Sequence, residues 1–339
     1  MKGDHAVMAP WLECHDKTIP ARQHIALLLD LLSSRGVNMH YVLRHTGIFY
    51  DDLIAQDLQV SPVQFSRLIS NVAKLEQFPE LSFLFGQQLI PSVFPTTSHI
   101  LIHAPTVNTL MNNIALYSES YFPLSKLTTQ FDDSGVYVFV EDPYGIEASL
   151  SSRDRITYFR WLTEYVFTSV ISLVNWRADT KLPWSVMVDW LCPQWQEHYH
   201  MYWGKVNFNQ PMIALHLPKQ YLDVTLKDSS STLYKVARKI TPIPSCGLLS
   251  HIRNVFRQNL VQVPSLNELS EMMLMSPATL KRRLKAHHHT YRSLLGEVNQ
   301  QHALYLQQIK QWDDHQIAQE MQFFDVSNYR RAIRRWKTS

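Results

Sequence analysis

Two stretches near the end of this 339-residue chain, 265–287 and 313–336, share one layout. Each has a short helical run, a tight break, and a second helical run crowded with Lys and Arg. Helices this short do not hold together alone; each must bury an apolar stripe against a partner across the break. In the first stretch Ser265, with Glu268 three residues on, gives a capping-box signal. Leu266, Leu269, Met272 and Met273 then recur at helical spacing. The break falls around Leu274 and Met275. Ser276-Pro277 restarts a helix, because Ser caps and Pro at the first helical position loses no useful donor. Leu280 and Leu284, one turn apart, face the partner helix, and Lys281, Arg282, Arg283 and Lys285 surround that seam. In the second stretch Ile317, Ala318 and Met321 precede a break at Gln322-Phe323-Phe324. Asp325 or Ser327 caps the next helix. Tyr329, Ile333 and Trp336 form its apolar stripe, flanked by Arg330, Arg331, Arg334 and Arg335 and followed by Lys337.

One such pair with four charges reads equally well as a solvated helix face. Buried aromatics with an arginine rim also describe a helix that docks a protein. The repeat is what favours a pair of helix-turn-helix units, in which the second helix enters a major groove. Tyr291 to Ile309, with Leu294, Leu295, Val298, Ala303, Leu304 and Leu306 apolar, predicts one long connecting helix. Such a connector can hold two reading helices about one turn of DNA apart, roughly 34 Å.

The segment from Ser265 to Trp336 resembles, without a gap, the DNA-binding domain of AraC/XylS-type bacterial transcription regulators. The resemblance is carried by MSPATLKRRLKA, by Ala303-Leu304, and by Ile317-Ala318 followed by FFDVSNYRRAIRRW. Phe323, Asp325, Ser327, Asn328, Arg331, Ala332 and Trp336 stand at the family's most recognisable positions. Gln322 and His288 stand where the family has Gly, Asn299 where it has Arg, and Asp314 where it has Ile. The resemblance implies a sequence-specific regulator of transcription, an activator more often than a repressor, with promoter DNA and RNA polymerase as partners. Ala278, Lys281, Arg282, Ser327, Asn328, Arg330 and Arg331 are then the base-facing candidates. Arg283, Lys285, Arg334, Arg335 and Lys337 are the phosphate candidates.

Charge supports this placement. From His251 onward thirteen Lys/Arg stand against seven Asp/Glu, a net +6 in a chain of net +3, so the earlier residues carry −3. Such asymmetry marks a nucleic-acid-binding end and a remainder of another kind. Three cysteines, Cys14, Cys192 and Cys246, are too few and too scattered for a disulfide framework, which points to a reduced compartment. The longest apolar run, near Tyr165 to Trp176, is too short to span a bilayer. Asp4 and His5 break any signal-peptide pattern. The expected location is the cytoplasm, at the nucleoid.

The earlier residues divide by period. Residues 1–20 read as a loose lead-in. Residues 21–227 read as one α+β domain. Helices are expected over Ile25–Leu32 to a stop at Gly36, Met39–His45, from Ser61-Pro62, over Leu81–Leu89, from Pro105, and over Ile156–Trp176. A hairpin is expected from Leu127–Phe131 and Val136–Val140 around Asp132-Asp133-Ser134-Gly135. Strands are expected at Ser185–Leu191 and Met212–Leu217. This order of elements, over about 25 to 225, is similar to the arabinose-binding-like effector domain of one branch of the same family. It implies a small-molecule effector and a homodimer. Residues 228–246 read as a linker around a short helix at Leu233–Ile240, and 247–339 as the DNA-binding domain. The expected fold is thus an α+β N-terminal domain followed by an all-α DNA-binding domain.

Other chemistry finds little support. The sequence has no Gly-rich phosphate loop, no metal motif, no cofactor box and no framed nucleophile, so no enzyme is expected. His287, His288 and His289 read as a solvated helix end rather than a metal site. The aromatic run Trp184, Trp190, Trp195, Tyr199, Tyr202 and Trp203 reads as core. A protein–protein adaptor with basic docking helices is the alternative. A DNA-repair regulator built on the same module is weaker, because its alkyl-transfer chemistry needs a cysteine-rich zinc site.

Overall fold

The computed structural model describes residues 11–55, 57–89, 95–260 and 262–336. The chain forms two compact units that meet between Gly247 and Leu248.

In the first unit, strands β1 (Trp11–Leu12) and β2 (Ile19–Pro20) lead into α1 (Ala21–Ser33), α2 (Met39–Val42) and α3 (Tyr50–Ala55). Strand β3 (Gln59–Val60), α4 (Pro62–Val72), α5 (Leu81–Leu89), α6 (Pro95–Ile102), α7 (Val107–Leu116) and α8 (Ser118–Tyr121) follow. Then come β4 (Lys126–Phe131), β5 (Gly135–Glu141), α9 (Ser152–Ala178), β6 (Ser185–Met187), α10 (Gln196–Trp203), β7 (Lys205–Asn207), β8 (Ala214–Pro218), α11 (Ser231–Ile240) and β9 (Cys246–Gly247).

The main sheet runs β4-β5-β8-β6-β7, antiparallel except for the parallel pair β6 and β7. Its hairpin closes where expected. Asp132 Oδ1 accepts from the backbone N–H of Ser134 (2.7 Å) and Gly135 (3.2 Å), an Asx turn that reverses the chain. Gly135 is required there: at φ +148°, a Cβ would sit 2.0 Å from the Leu217 carbonyl oxygen on β8.

The core forms around α9. Ser151 caps this helix, and residues such as Tyr158, Leu162, Tyr165, Phe167 and Val174 are buried on several of its faces. A helix apolar all round belongs inside a fold. Its closest neighbour is α5, where Gly86 removes the side chain that would otherwise hold the two backbones apart. Several buried polar residues of α9 find partners within the unit. Ser169 Oγ reaches the Gly86 carbonyl oxygen (2.7 Å), Thr168 Oγ1 accepts from Trp203 Nε1 (2.8 Å), and Glu164 accepts from Ser82 Oγ (2.6 Å) and the Tyr199 hydroxyl. Burial pushes the Glu164 carboxyl above its usual range, against the Arg160 charge and these hydrogen bonds. The aromatic run lies in this core, with Trp184, Trp190, Tyr199 and Trp203 buried and Phe83 packed against Tyr199 and Trp203.

Residues 11–20 are not a loose lead-in. β1 pairs in parallel with β9, β2 pairs antiparallel with β3, and Trp11, Cys14 and Ile19 are buried. Apolar side chains at a chain end are ordered when a partner strand and a core are within reach, and here both are. The stretch 228–246 likewise carries a docked helix. Ser230 caps α11, which packs on α6, buries Ala237 and bonds Tyr234 Oη to Asn113 Nδ2 (3.1 Å).

The second unit is helical throughout its described residues: α12 (Leu248–Gln258), α13 (Leu266–Met272), α14 (Pro277–Ala286), α15 (Tyr291–Gln308), α16 (Asp314–Glu320) and α17 (Val326–Trp336). The chain is therefore a mixed α/β unit with a β-sheet, followed by a helical unit. No helix among the described residues is long and apolar enough to cross a membrane.

Candidate nucleic-acid interface

The two short helix pairs, α13 with α14 and α16 with α17, are built by the same local rules. Ser265 caps α13 by accepting from Glu268 N–H (3.3 Å), and Glu268 returns the bond to Ser265 N–H (2.7 Å). Asp313 and Gln316 close the same box on α16. Ser276 caps α14 through Thr279 N–H (3.2 Å), and Asp325 caps α17 through Asn328 N–H (2.6 Å). Asp325 thus fills the place for which Ser327 was the other candidate.

Between the helices the chain turns through a left-handed residue, Leu274 (φ +52°) in the first pair and Gln322 (φ +56°) in the second. Met275 N–H then reaches the Ser270 carbonyl (3.0 Å), and Phe323 N–H the Ala318 carbonyl (2.8 Å). This is the closure that satisfies the last carbonyls of a helix and prefers glycine at the turning residue. His288 (φ +58°) does the same after α14. Gln322 and His288 therefore occupy glycine geometry without glycine.

Inside the pairs, Leu269, Leu280 and Leu284 are buried in the first, and Ile317, Ala318, Tyr329 and Ala332 in the second. Ile333 and Trp336, expected to form a buried stripe with Tyr329, are only half-buried. Trp336 covers Gly296 on α15, where an added Cβ would come within 3.2 Å of the indole. Phe323 packs against both Tyr329 and Trp336.

Burying these stripes turns the polar residues outward. On α14, Ala278, Lys281, Arg282 and Lys285 are exposed and Arg283 is half-buried. Neither Lys281, Arg282 nor Lys285 has a carboxylate partner among the described residues. On α17, Ser327, Arg330, Arg331, Arg334 and Arg335 are exposed and Asn328 is half-buried. Arg330, Arg331 and Asn328 of this helix already have partners. Arg330 Nε pairs with Asp314 Oδ2 (2.6 Å) across the turn, and Arg331 Nη2 donates to Asn328 Oδ1 (2.5 Å). Lys337 lies outside the described residues.

The histidine run was misread as a solvated helix end. His287 and His289 are 1% and 9% exposed. His289 Nδ1 donates to the His287 carbonyl (2.6 Å) and Nε2 to Glu297 Oε1 (2.9 Å), while Glu297 Oε2 accepts from Arg253 Nη2 (2.8 Å). This knot joins the end of α14 to α15 and α12. Burial pushes the His289 imidazole down, but Glu297's hydrogen bond and charge outweigh it and hold it above its usual value. Burial pushes Glu297 up, but His289 and Arg253 hold it at about 2. No spacing rule marks a His–Glu pair eight residues apart; only the turn at His288 brings them together.

Among the described residues no cluster of three His, Cys, Asp or Glu side chains is placed to hold a metal ion. A mixed α/β unit joined to a helical unit with basic outward faces is the layout of a one-chain regulator. Residues 36–226 match the family described as the arabinose-binding domain of AraC transcription regulator, N-term, over more than half of the chain. The chain belongs to this family of AraC-type transcription regulators, with an N-terminal effector domain, and its members act as regulators rather than enzymes. It is similar to the ornithine utilization regulator of Pseudomonas aeruginosa, at 20% identity over 91% of each chain. It is also similar to the solved transcriptional regulator CdpR from the same organism, at 14% identity, over 93% of this chain and 95% of that one, with a TM-score of 0.46.

Proposed function

We propose that the second unit binds double-stranded promoter DNA through two helix-turn-helix units, α13–α14 and α16–α17, with α14 and α17 in successive major-groove faces. The observation that carries this is the outward face of α14, where Lys281, Arg282 and Lys285 stand exposed without carboxylate partners. Unpaired cations on a short capped helix are poised for phosphates and guanine edges. On α14, Ala278, Lys281 and Arg282 face bases, and Arg283 and Lys285 hold phosphates. On α17, Ser327 and Asn328 are the base-facing residues, with Arg331 oriented by Asn328. Arg334, Arg335 and Lys337 hold phosphates. Arg330, read from the sequence as base-facing, supports the turn through Asp314 and reaches DNA only by leaving that pair. The first unit binds a small effector and shifts the population of DNA-competent molecules. The output is activation through RNA polymerase, by a homodimer in the cytoplasm. That one relative regulates ornithine utilization supports control of gene expression as the role.

The test is fluorescence anisotropy with the DNA upstream of the protein's own gene and a shuffled control, at several salt concentrations. Each phosphate contact contributes about −0.9 to the slope of log K against log salt. Lys281→Ala or Arg282→Ala should cost about 1–3 kcal/mol of preference for the cognate site. Equal weakening on every sequence would make these residues phosphate contacts. No binding to either DNA at low salt would overturn the reading and favour an adaptor.

A further inference from the structure

The loop between α2 and α3 turns through two left-handed residues, His45 (φ +61°) and Gly47 (φ +69°). It is held in place by α4. Asn71 Nδ2 donates to the carbonyls of Val42 (2.8 Å) and Arg44 (2.9 Å), and Gln64 Nε2 to that of Gly47 (2.9 Å). Thr46 is buried, and its Oγ1 accepts from Ile48 N–H (3.1 Å). The backbone here is fixed without help from any ligand.

Around this loop lies a groove of about 700 Å³, within the range of about 300–1,000 Å³ usual for ligand sites. Leu43, Ile48, Phe49 and Tyr50 give it an apolar lining. Phe49 is 68% exposed and neighbouring Ile54 74%. Large apolar side chains left together in water mark a binding surface. The lining carries one guanidinium, Arg44, and one carboxylate, Asp51. Asp51 lies in the first turn of α3, beside Asp52, where the helix dipole favours a carboxylate. Arg44 has no such explanation. Its Nε donates to His45 Nε2 (3.1 Å), and no carboxylate pairs with it among the described residues. Its remaining N–H groups are available to a planar anion.

We infer that this groove binds an amphipathic monocarboxylate, with its apolar tail on Phe49, Leu43 and Ile48 and its carboxylate on Arg44. A guanidinium holds a carboxylate through two parallel hydrogen bonds, which a neutral or cationic head group cannot reproduce. The inference rests on the effector role proposed above for its regulatory meaning.

The experiment is isothermal titration of the full chain with octanoate, decanoate, octan-1-ol and octyltrimethylammonium, each below its aggregation concentration. Decanoate should bind on the order of tenfold more tightly than octanoate, since each buried methylene contributes about fourfold. The alcohol and the ammonium compound should bind about tenfold or more weakly than octanoate. Arg44→Gln should weaken decanoate about tenfold or more and leave the alcohol unchanged. Phe49→Ser should weaken carboxylates and alcohol alike. Both residues are exposed, and an unchanged Tm verifies that each variant folds. Decanoate affinity indifferent to Arg44→Gln, ammonium binding as tight as octanoate, or no heat from decanoate would each overturn the assignment. DNA anisotropy with and without decanoate separates the two ideas. Arg44-dependent binding with unchanged DNA affinity supports the groove and overturns the effector role. A decanoate effect on DNA that persists in Arg44→Gln overturns the groove and keeps the role.

Discussion

Replacing Gly86 with Ala pits two physical effects of opposite sign against each other. Gly86 lies in the interior of α5, where exchange for Ala normally stabilises a helix by about 1 kcal/mol. In this structure the added Cβ would lie 2.5 Å from the Tyr165 carbonyl oxygen and 2.9 Å from Thr168 Cβ. The first distance is 0.9 Å short of the 3.4 Å at which ordinary contact begins. The obstacle is the backbone of α9, packed on several sides, so no flexible side chain can swing away. Moving it would also disturb the Ser169 hydrogen bond to the Gly86 carbonyl. Overpacking of this kind costs about 1–3 kcal/mol or more, and the loosened buried hydrogen bond adds about 1 kcal/mol. After the propensity gain, a net loss of about 2 kcal/mol is expected. Seven of the nine tryptophans lie in the first unit, so urea unfolding followed by tryptophan fluorescence reports chiefly on it. With a slope of about 2–3 kcal/mol per molar urea, the midpoint should fall by about 0.7–1 M. A midpoint that stays or rises would refute the argument, because it would mean that α5 and α9 are not in backbone contact.

Three further outcomes are expected. Burial holds the His24 imidazole at about 4, although Nε2 donates to the Tyr121 carbonyl (2.8 Å). The unfolded chain takes up this proton near 6.5 and the folded chain near 4. Stability should therefore be fully present above pH 6.5 and fall by on the order of 3 kcal/mol as pH drops to 4; a His24→Gln variant with the same acid profile would show that another group is responsible. Gln322→Gly and Leu274→Gly should each stabilise the second unit by about 0.5–1 kcal/mol, the relief of a left-handed side chain less the chain entropy of glycine; slower hydrogen exchange in the adjoining helices would confirm it, and faster exchange would contradict it. Asp314→Ala should lower stability by about 1 kcal/mol or less, because in its pair with Arg330 the guanidinium is exposed to solvent while Asp314 is half-buried. It should also steepen the salt slope of DNA binding by about 0.9 as Arg330 becomes available; an unchanged slope would leave Arg330 as a brace only.

Much of this architecture was legible in the residues. The caps at Ser265, Ser276 and Asp325, the breaks at Leu274 and Gln322, and the long α15 follow from local rules that act within one helical turn. The β4–β5 hairpin was legible because Asp132 and Gly135 impose it locally. What sequence reading missed depends on distant partners. Residues 11–20 looked loose because nothing near them shows that Cys246 and Gly247 will pair with Trp11 and Leu12. The knot of His289, Glu297 and Arg253 was hidden because it joins three helices. The pairing of Arg330 with Asp314 was missed because two charges sixteen residues apart reveal nothing until the turn at Gln322 is drawn. The groove beside Arg44 left no sequence signal, since its shape depends on Asn71 and Gln64 bonding to backbone atoms, which any sequence offers.

The pairing of β1 with β9 also sets an order of events during synthesis. Trp11 and Leu12 leave the ribosome early, yet their partners Cys246 and Gly247 emerge more than two hundred residues later. The buried Glu119 carboxylate also waits, over 128 residues, for the Gly247 N–H that it accepts at 2.5 Å. The first unit therefore stays unlatched until the ribosome has nearly reached the second, and its closing contacts carry the longest sequence separation of the β-pairing among the described residues. A nascent chain halted at residue 240 should be cut by protease at its amino end, and one extended past residue 290 should resist.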